Sequence, residues 1–128
     1  MKFEAKENGF VTHLSYGDLH VSGDEQYGFR PYQLLVSSVA VCSGGVLRKV
    51  LDKMRMPCAD MQITADVVRN EKKANRVEKI HLHFVITGEN LREEKVQKAI
   101  EASRKNCPIV QSVQDSIEIT ETFELVSS

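Results

Sequence analysis

"RPYQLLVSSVAVCSGGVLRKVLDKM", residues 30–54, decides the fold. Pro31 suits a first helical turn, where its missing N–H would be unpaired in any case, and no further proline interrupts Gln33 to Met54. Leu34, Leu35, Val36, Val39, Ala40, Val41, Val46, Leu47, Val50, Leu51 and Met54 are all apolar, and up to Val46 they cover nearly every face of a helix. A helix apolar all round must be buried all round. One small sheet covers only one side of it, so something else must cover the other, most economically a second copy of the chain.

Upstream of this helix the chain reads as a β-meander. In "KFEAKENGFVTHLSY" the apolar Phe3 and Ala5 alternate with charge, Asn8-Gly9 is a hairpin signal, and Val11, His13 and Ser15 alternate with Phe10, Thr12 and Leu14. "YGD" at 16–18 makes the next turn, before "LHVS". Downstream, Met61, Ile63, Ala65 and Val67 mark one face of a strand and Ile80, Leu82, Phe84 and Ile86 one face of the next, joined by the charged "RNEKKANR". A second helix is expected from Asn90 as cap, with Glu93 at the capping-box position and Val96, Ala99, Ile100 and Ser103 as its stripe. It must end near Cys107, because Pro108 disfavours helical backbone in the residue before it. A short turn restarts with "PIVQSVQ", and the last strand, "SIEITETFEL", places Ile117, Ile119, Phe123 and Leu125 on a face that Glu121 interrupts. The order of elements gives one α+β domain over 1–128, with helices packed against antiparallel sheet.

Composition excludes several classes of function. With 17 basic and 18 acidic residues the chain has no electrostatic footprint for nucleic acid or an anionic membrane. No window holds the roughly 18 uninterrupted apolar residues of a bilayer span, and "MKFEAKENGF" lacks the apolar core of a signal peptide, so a cytoplasmic protein is expected. Three scattered cysteines, Cys42, Cys58 and Cys107, form neither a disulfide framework nor a zinc-ligand pair. His81 and His83 share the wet face of a strand without a third ligand at a telling spacing, so no metal is expected. No cofactor is expected either.

That leaves the cysteines. Leu35, Ser38, Val39, Gly45 and Val46 surround Cys42 on its helix face, and Gly44 and Gly45 each cost about 1 kcal/mol relative to alanine there. Glycine at such a cost implies close approach of another element or of a ligand. From the residues alone, Cys42 is either a small buried hydrophobe at a helix crossing or a reactive thiol. Cys107 stands directly before a new helical turn, where unpaired backbone N–H groups would favour its thiolate; alternatively "CP" is only a helix break. Cys58, in "RMPCAD", is either unengaged or a substitute partner for Cys42.

"RPYQLLVSSVAVC" at 30–42, followed by "NCPIVQSV" at 106–113, resembles the OsmC/Ohr family of thiol-dependent peroxidases, and the order of elements matches along nearly the whole chain. The resemblance implies an α+β fold in which antiparallel sheets pack around a long buried central helix, in an intertwined homodimer. It implies that Cys42 is the peroxidatic cysteine and Cys107 the resolving one, acting on organic or small hydroperoxides in oxidative stress defence, with a dithiol or lipoyl-type reductant restoring both. Two family features are missing. Tyr32 occupies the position of a helix-start glutamate, and Met1 to Phe29 contain no arginine, whereas family peroxidases carry one in an upstream loop. Arg30 and Tyr32 are therefore the candidate helpers. Arg30 cannot serve from its own helix, since 12 residues place it about 18 Å along the axis from Cys42; an activating cation must come from another element or the partner chain. The alternative reading is a non-catalytic dimer on the same fold, redox-responsive or binding a small molecule in the Cys42 pocket.

Overall fold

The proline-led run forms a single helix, α1, Pro31–Lys53. It belongs to a computed structural model that describes residues 1–128, and it crosses the boundary between two compact units of the chain, Met1–Ser37 and Ser38–Ser128.

In the first unit three short strands, β1 (Glu4–Lys6), β2 (Gly9–His13) and β3 (Asp18–Val21), pair antiparallel in chain order. The hairpin signal shifts by one residue, because Lys6 pairs with Gly9 and the turn is Glu7–Asn8. Gly9 has φ +151°, and a Cβ there would collide with the Val21 carbonyl oxygen, so the tight β2–β3 contact requires glycine. His13 and Asp18, both exposed, pair at 2.6 Å across β2 and β3, which raises the histidine pKa and lowers that of the carboxyl, chiefly through this hydrogen bond. Ala5, Phe10, Val21 and Phe29 lie in register across the strands, and Phe10 and Phe29 remain more than half exposed.

The second unit holds β4 (Asp60–Asn70), β5 (Arg76–Gly88), α2 (Glu93–Asn106), α3 (Pro108–Val113) and β6 (Glu118–Ser127). β4 and β5 pair antiparallel, with Ile63 opposite Phe84 and Ala65 opposite Leu82. β6 departs from the antiparallel expectation by pairing parallel to β5, with Ile80 opposite Ile119 and Phe84 opposite Phe123. The connection through α2 and α3 explains this, since a helical crossover carries the chain back to the end where β5 began. The alternation read from the sequence holds: Ile80, Leu82, Phe84 and Ile86 are buried, as are Val96, Ala99 and Ile100 of α2. Each such side chain, fully buried, contributes about 1.5–3 kcal/mol if it is the size of Val or larger.

The capping expectation for α2 fails. Arg92 holds the N-cap position without a side-chain cap bond, and Asn90 has φ +59°, in the left-handed turn that asparagine tolerates. Glu121, the residue that breaks the apolar face of β6, is paired: Arg104 Nη1 of α2 donates to its Oε1 at 3.2 Å and to the Ile119 carbonyl at 2.7 Å.

Within one chain α1 is buried only along the stripe Val39, Ser43, Gly44, Leu47 and Leu51. The rest of its girth is half-buried or exposed, Val41 at 70%. By length and composition it passes as a membrane span, with a mean hydropathy of 1.6 over an 18-residue window. A core helix passes the same test, and the stripe is the side α1 turns toward the interior of its unit. At Gly44 a Cβ would stand 2.5 Å from the Ile63 side chain, so β4 approaches α1 closely there. Gly45 meets nothing within 4 Å.

Candidate active site

Cys42 and Cys107 come together, although 64 residues separate them in the sequence. Each is placed by a feature already described. α1 presents Cys42 half-buried, one residue before the buried Ser43, on the wall of an open groove of about 630 Å³. Val46, Val50, Lys49, Lys53 and Pro108 also line this groove. Pro108 ends α2 at Asn106, leaves Cys107 extended at φ −87° and ψ 111°, and starts α3. The Cys107 sulfur points inward, with no exposed surface, and the Cys42 thiol lies near enough to act on its ionisation.

Opposing influences act on Cys107. Burial is the largest and pushes the thiol above its ordinary pKa; the hydrogen bond and charge of Cys42 push the same way. The backbone N–H groups of Val110 and Ile109, at the start of α3, face the sulfur and pull downward, without closing a full cap hydrogen bond. Burial wins, so the dipole argument from sequence found the right donors but the wrong sign. No disulfide links any of the three cysteines. Of the pair, Cys42 lines the groove and Cys107 is buried beside it.

The OsmC-like protein family matches residues 22–122, a span that includes both cysteines and all of α1. The chain belongs to this family. Protein YhfA of Escherichia coli K12 is 25% identical over 99 residues, which cover 77% of this chain and 74% of that protein. A hypothetical protein from Aquifex aeolicus superposes with TM-score 0.87 at 25% identity, covering 99% of this chain and 95% of that one. An organic hydroperoxide resistance protein from Elizabethkingia anophelis superposes with TM-score 0.75 at 18% identity, covering 98% and 94%, and so shares the fold.

In this OsmC-like chain the other two candidates also meet each other. The Arg30 guanidinium stacks over the Tyr32 ring, 4.9 Å from its centroid, a cation–π contact. Both residues lie in the first unit, whereas Cys42 and Cys107 lie in the second. Tyr32 thus holds Arg30 by its ring face. The cations beside the Cys42 groove are Lys49 and Lys53 of its own helix, about two and three turns further along the same stripe. The spacing of 42, 49 and 53 in the sequence places both lysines on the helix face of Cys42.

Cys58 is not part of this constellation. It lines a separate cavity of about 330 Å³ with Arg48, Asp60 and Met61, on the β4 side of α1. His81 and His83 are engaged by β6: His81 contacts Thr120 Oγ1 at 2.6 Å and Thr122 Oγ1 at 3.0 Å, and His83 contacts Thr122 Oγ1 at 2.7 Å. No group of three His, Cys, Asp or Glu side chains is placed to hold a metal ion.

Proposed function

We propose that this OsmC-like protein is a two-cysteine peroxidase that reduces organic or small hydroperoxides. The observation that carries the reading is the neighbouring pair of thiols itself, with Cys42 on an open groove and Cys107 buried beside it. The name of the Elizabethkingia anophelis relative, an organic hydroperoxide resistance protein, supports the same substrate class.

In this mechanism the Cys42 thiolate attacks the distal oxygen of ROOH. The S–O bond forms, the O–O bond breaks, and RO⁻ takes a proton to leave as the alcohol. Cys107 then attacks the Cys42 sulfenic sulfur; the S–S bond forms and hydroxide leaves as water. A dithiol reductant restores the two thiols and is itself oxidised to a disulfide. Val46 and Val50 give the groove an apolar wall for R, while Lys49 and Lys53 supply positive charge along it. The further helper cation in this scheme is Arg30 supplied by the second copy of the chain, since Arg30 cannot reach Cys42 along its own helix. The working form is a homodimer in the cytoplasm, with a second copy covering Val41 and the open side of α1 and with no nucleic acid or membrane as partner.

A second reading, a redox-responsive or ligand-binding dimer without turnover, draws support from Tyr32 at the glutamate position and the lack of arginine before Arg30. Counting free thiols before and after one equivalent of cumene hydroperoxide tests the common core of both redox readings. Loss of two thiols from three, mapped by peptide mass to Cys42 and Cys107, is the expected result. Three thiols unchanged would leave only a binder.

A further inference from the structure

Cys107 sits between two tethers that share one residue. Three positions before it, Arg104 Nη1 donates to the Ile119 carbonyl at 2.7 Å and to Glu121 Oε1 at 3.2 Å, fixing the last turn of α2 to β6. Four positions after it, the Gln111 amide nitrogen donates to the Arg104 carbonyl at 2.9 Å, and the Gln111 backbone N–H donates to the Cys107 carbonyl at 3.0 Å. The segment carrying the sulfur is thus moored to the sheet through Arg104.

Glu121 is an expensive way to do this. Its side chain is only 6% exposed, on the face of β6 that Ile119 and Phe123 otherwise keep apolar, and burial raises its pKa against the pull of Arg104. The Arg104 side chain is 36% exposed, so the pair is half-buried, and such an ion pair is commonly no more stabilising than a packed apolar pair of the same volume. What it adds is direction: the guanidinium bonds two acceptors at once and holds one orientation, which an apolar contact does not. Disulfide closure demands such placement, because the S–S bond is about 2.05 Å long with a dihedral near 90°.

We propose that Arg104 and Glu121 are positioning residues for the resolving step: the pair sets where the Cys107 sulfur stands when it attacks oxidised Cys42. This rests on the two-cysteine reading above. In the step, Cys107 sulfur bonds to Cys42 sulfur, the Cys42 S–O bond breaks, and hydroxide leaves as water. The pair touches neither reacting sulfur.

The test oxidises the full-length protein with one equivalent of cumene hydroperoxide and times two events separately. Dimedone capture reports the Cys42 sulfenic acid, and non-reducing mass analysis reports the Cys42–Cys107 disulfide. Arg104→Met and Glu121→Gln are expected to form sulfenic acid within about twofold of the wild-type rate but to close the disulfide at least about tenfold more slowly, as expected for a sulfur displaced by a fraction of an ångström. Dimedone adduct should accumulate in them. The double variant Arg104→Met/Glu121→Leu replaces the ion pair by apolar packing, so it should melt no lower than wild type and still close slowly. That outcome separates positioning from stability. A double variant that closes the disulfide at the wild-type rate overturns the proposal and leaves the peroxidase reading intact. A wild-type protein that forms no Cys42–Cys107 disulfide overturns both.

Discussion

Replacing Ser43 by alanine should make the protein more stable. Ser43 lies in the buried stripe of α1 at 2% exposure, and its Oγ has no hydrogen-bond partner. A hydroxyl buried without a partner forfeits its bond to water, at a cost of about 1–3 kcal/mol. Alanine is also the better helix former, by about 0.5 kcal/mol. Against these gains stands the small void left by one oxygen, whose lining loses some dispersion contacts. The net expectation is a gain of about 1–2 kcal/mol, or a melting temperature raised by about 3–10 °C for a chain of this length. Differential scanning calorimetry of wild type and Ser43→Ala reads this directly. A melting temperature that falls would show that the hydroxyl is bonded in solution, and would refute the idea that this position carries an uncompensated polar group.

Other consequences are as open to measurement. Gly44→Ala would bring a methyl group to 2.5 Å from Ile63 Cδ1, the far end of a side chain that can rotate away, so most of the roughly 1 kcal/mol gained in helix propensity should be kept and the melting temperature should not fall; a lower melting temperature in calorimetry would contradict this. Val41→Lys places a charge on the most exposed apolar position of α1, and sedimentation velocity should show a dimer for the wild type and a monomer for the variant. Cys107 should ionise only above the ordinary thiol range, because burial raises its pKa. Its contribution to stability is therefore complete below the unfolded thiol's pKa and is lost as pH rises through the folded one. Thiolate ultraviolet absorbance in a Cys42→Ser/Cys58→Ser variant checks this, and titration below the ordinary range would contradict it.

The elements were legible because their signals are local. Pro31 and the unbroken apolar run marked α1, alternation marked β4 and β5, and Pro108 marked the break between α2 and α3. Strand direction was not legible, since nothing in the alternation of β6 says whether it enters the sheet parallel or antiparallel to β5. Asn90 misled because asparagine suits both a helix cap and a left-handed turn, and the chain uses it for the turn. Glu121 looked like a blemish on an apolar face until α2 brought Arg104 to it from 17 residues away. Of the site, spacing suggested the two cysteines separately, and only the packing of α1 against the α2–α3 break joins them. Gly44 and Gly45 read alike in the sequence, yet one stands against Ile63 and the other faces open space.

Turnover at Cys42 is tested by steady-state consumption of cumene hydroperoxide and of hydrogen peroxide with a dithiol reductant. The wild type should consume both rapidly, Cys42→Ser should lose that activity, and Cys107→Ser should cycle slowly with sulfenic acid persisting on Cys42. Consumption by the wild type no faster than buffer, and equal to that of Cys42→Ser, would contradict turnover at this cysteine.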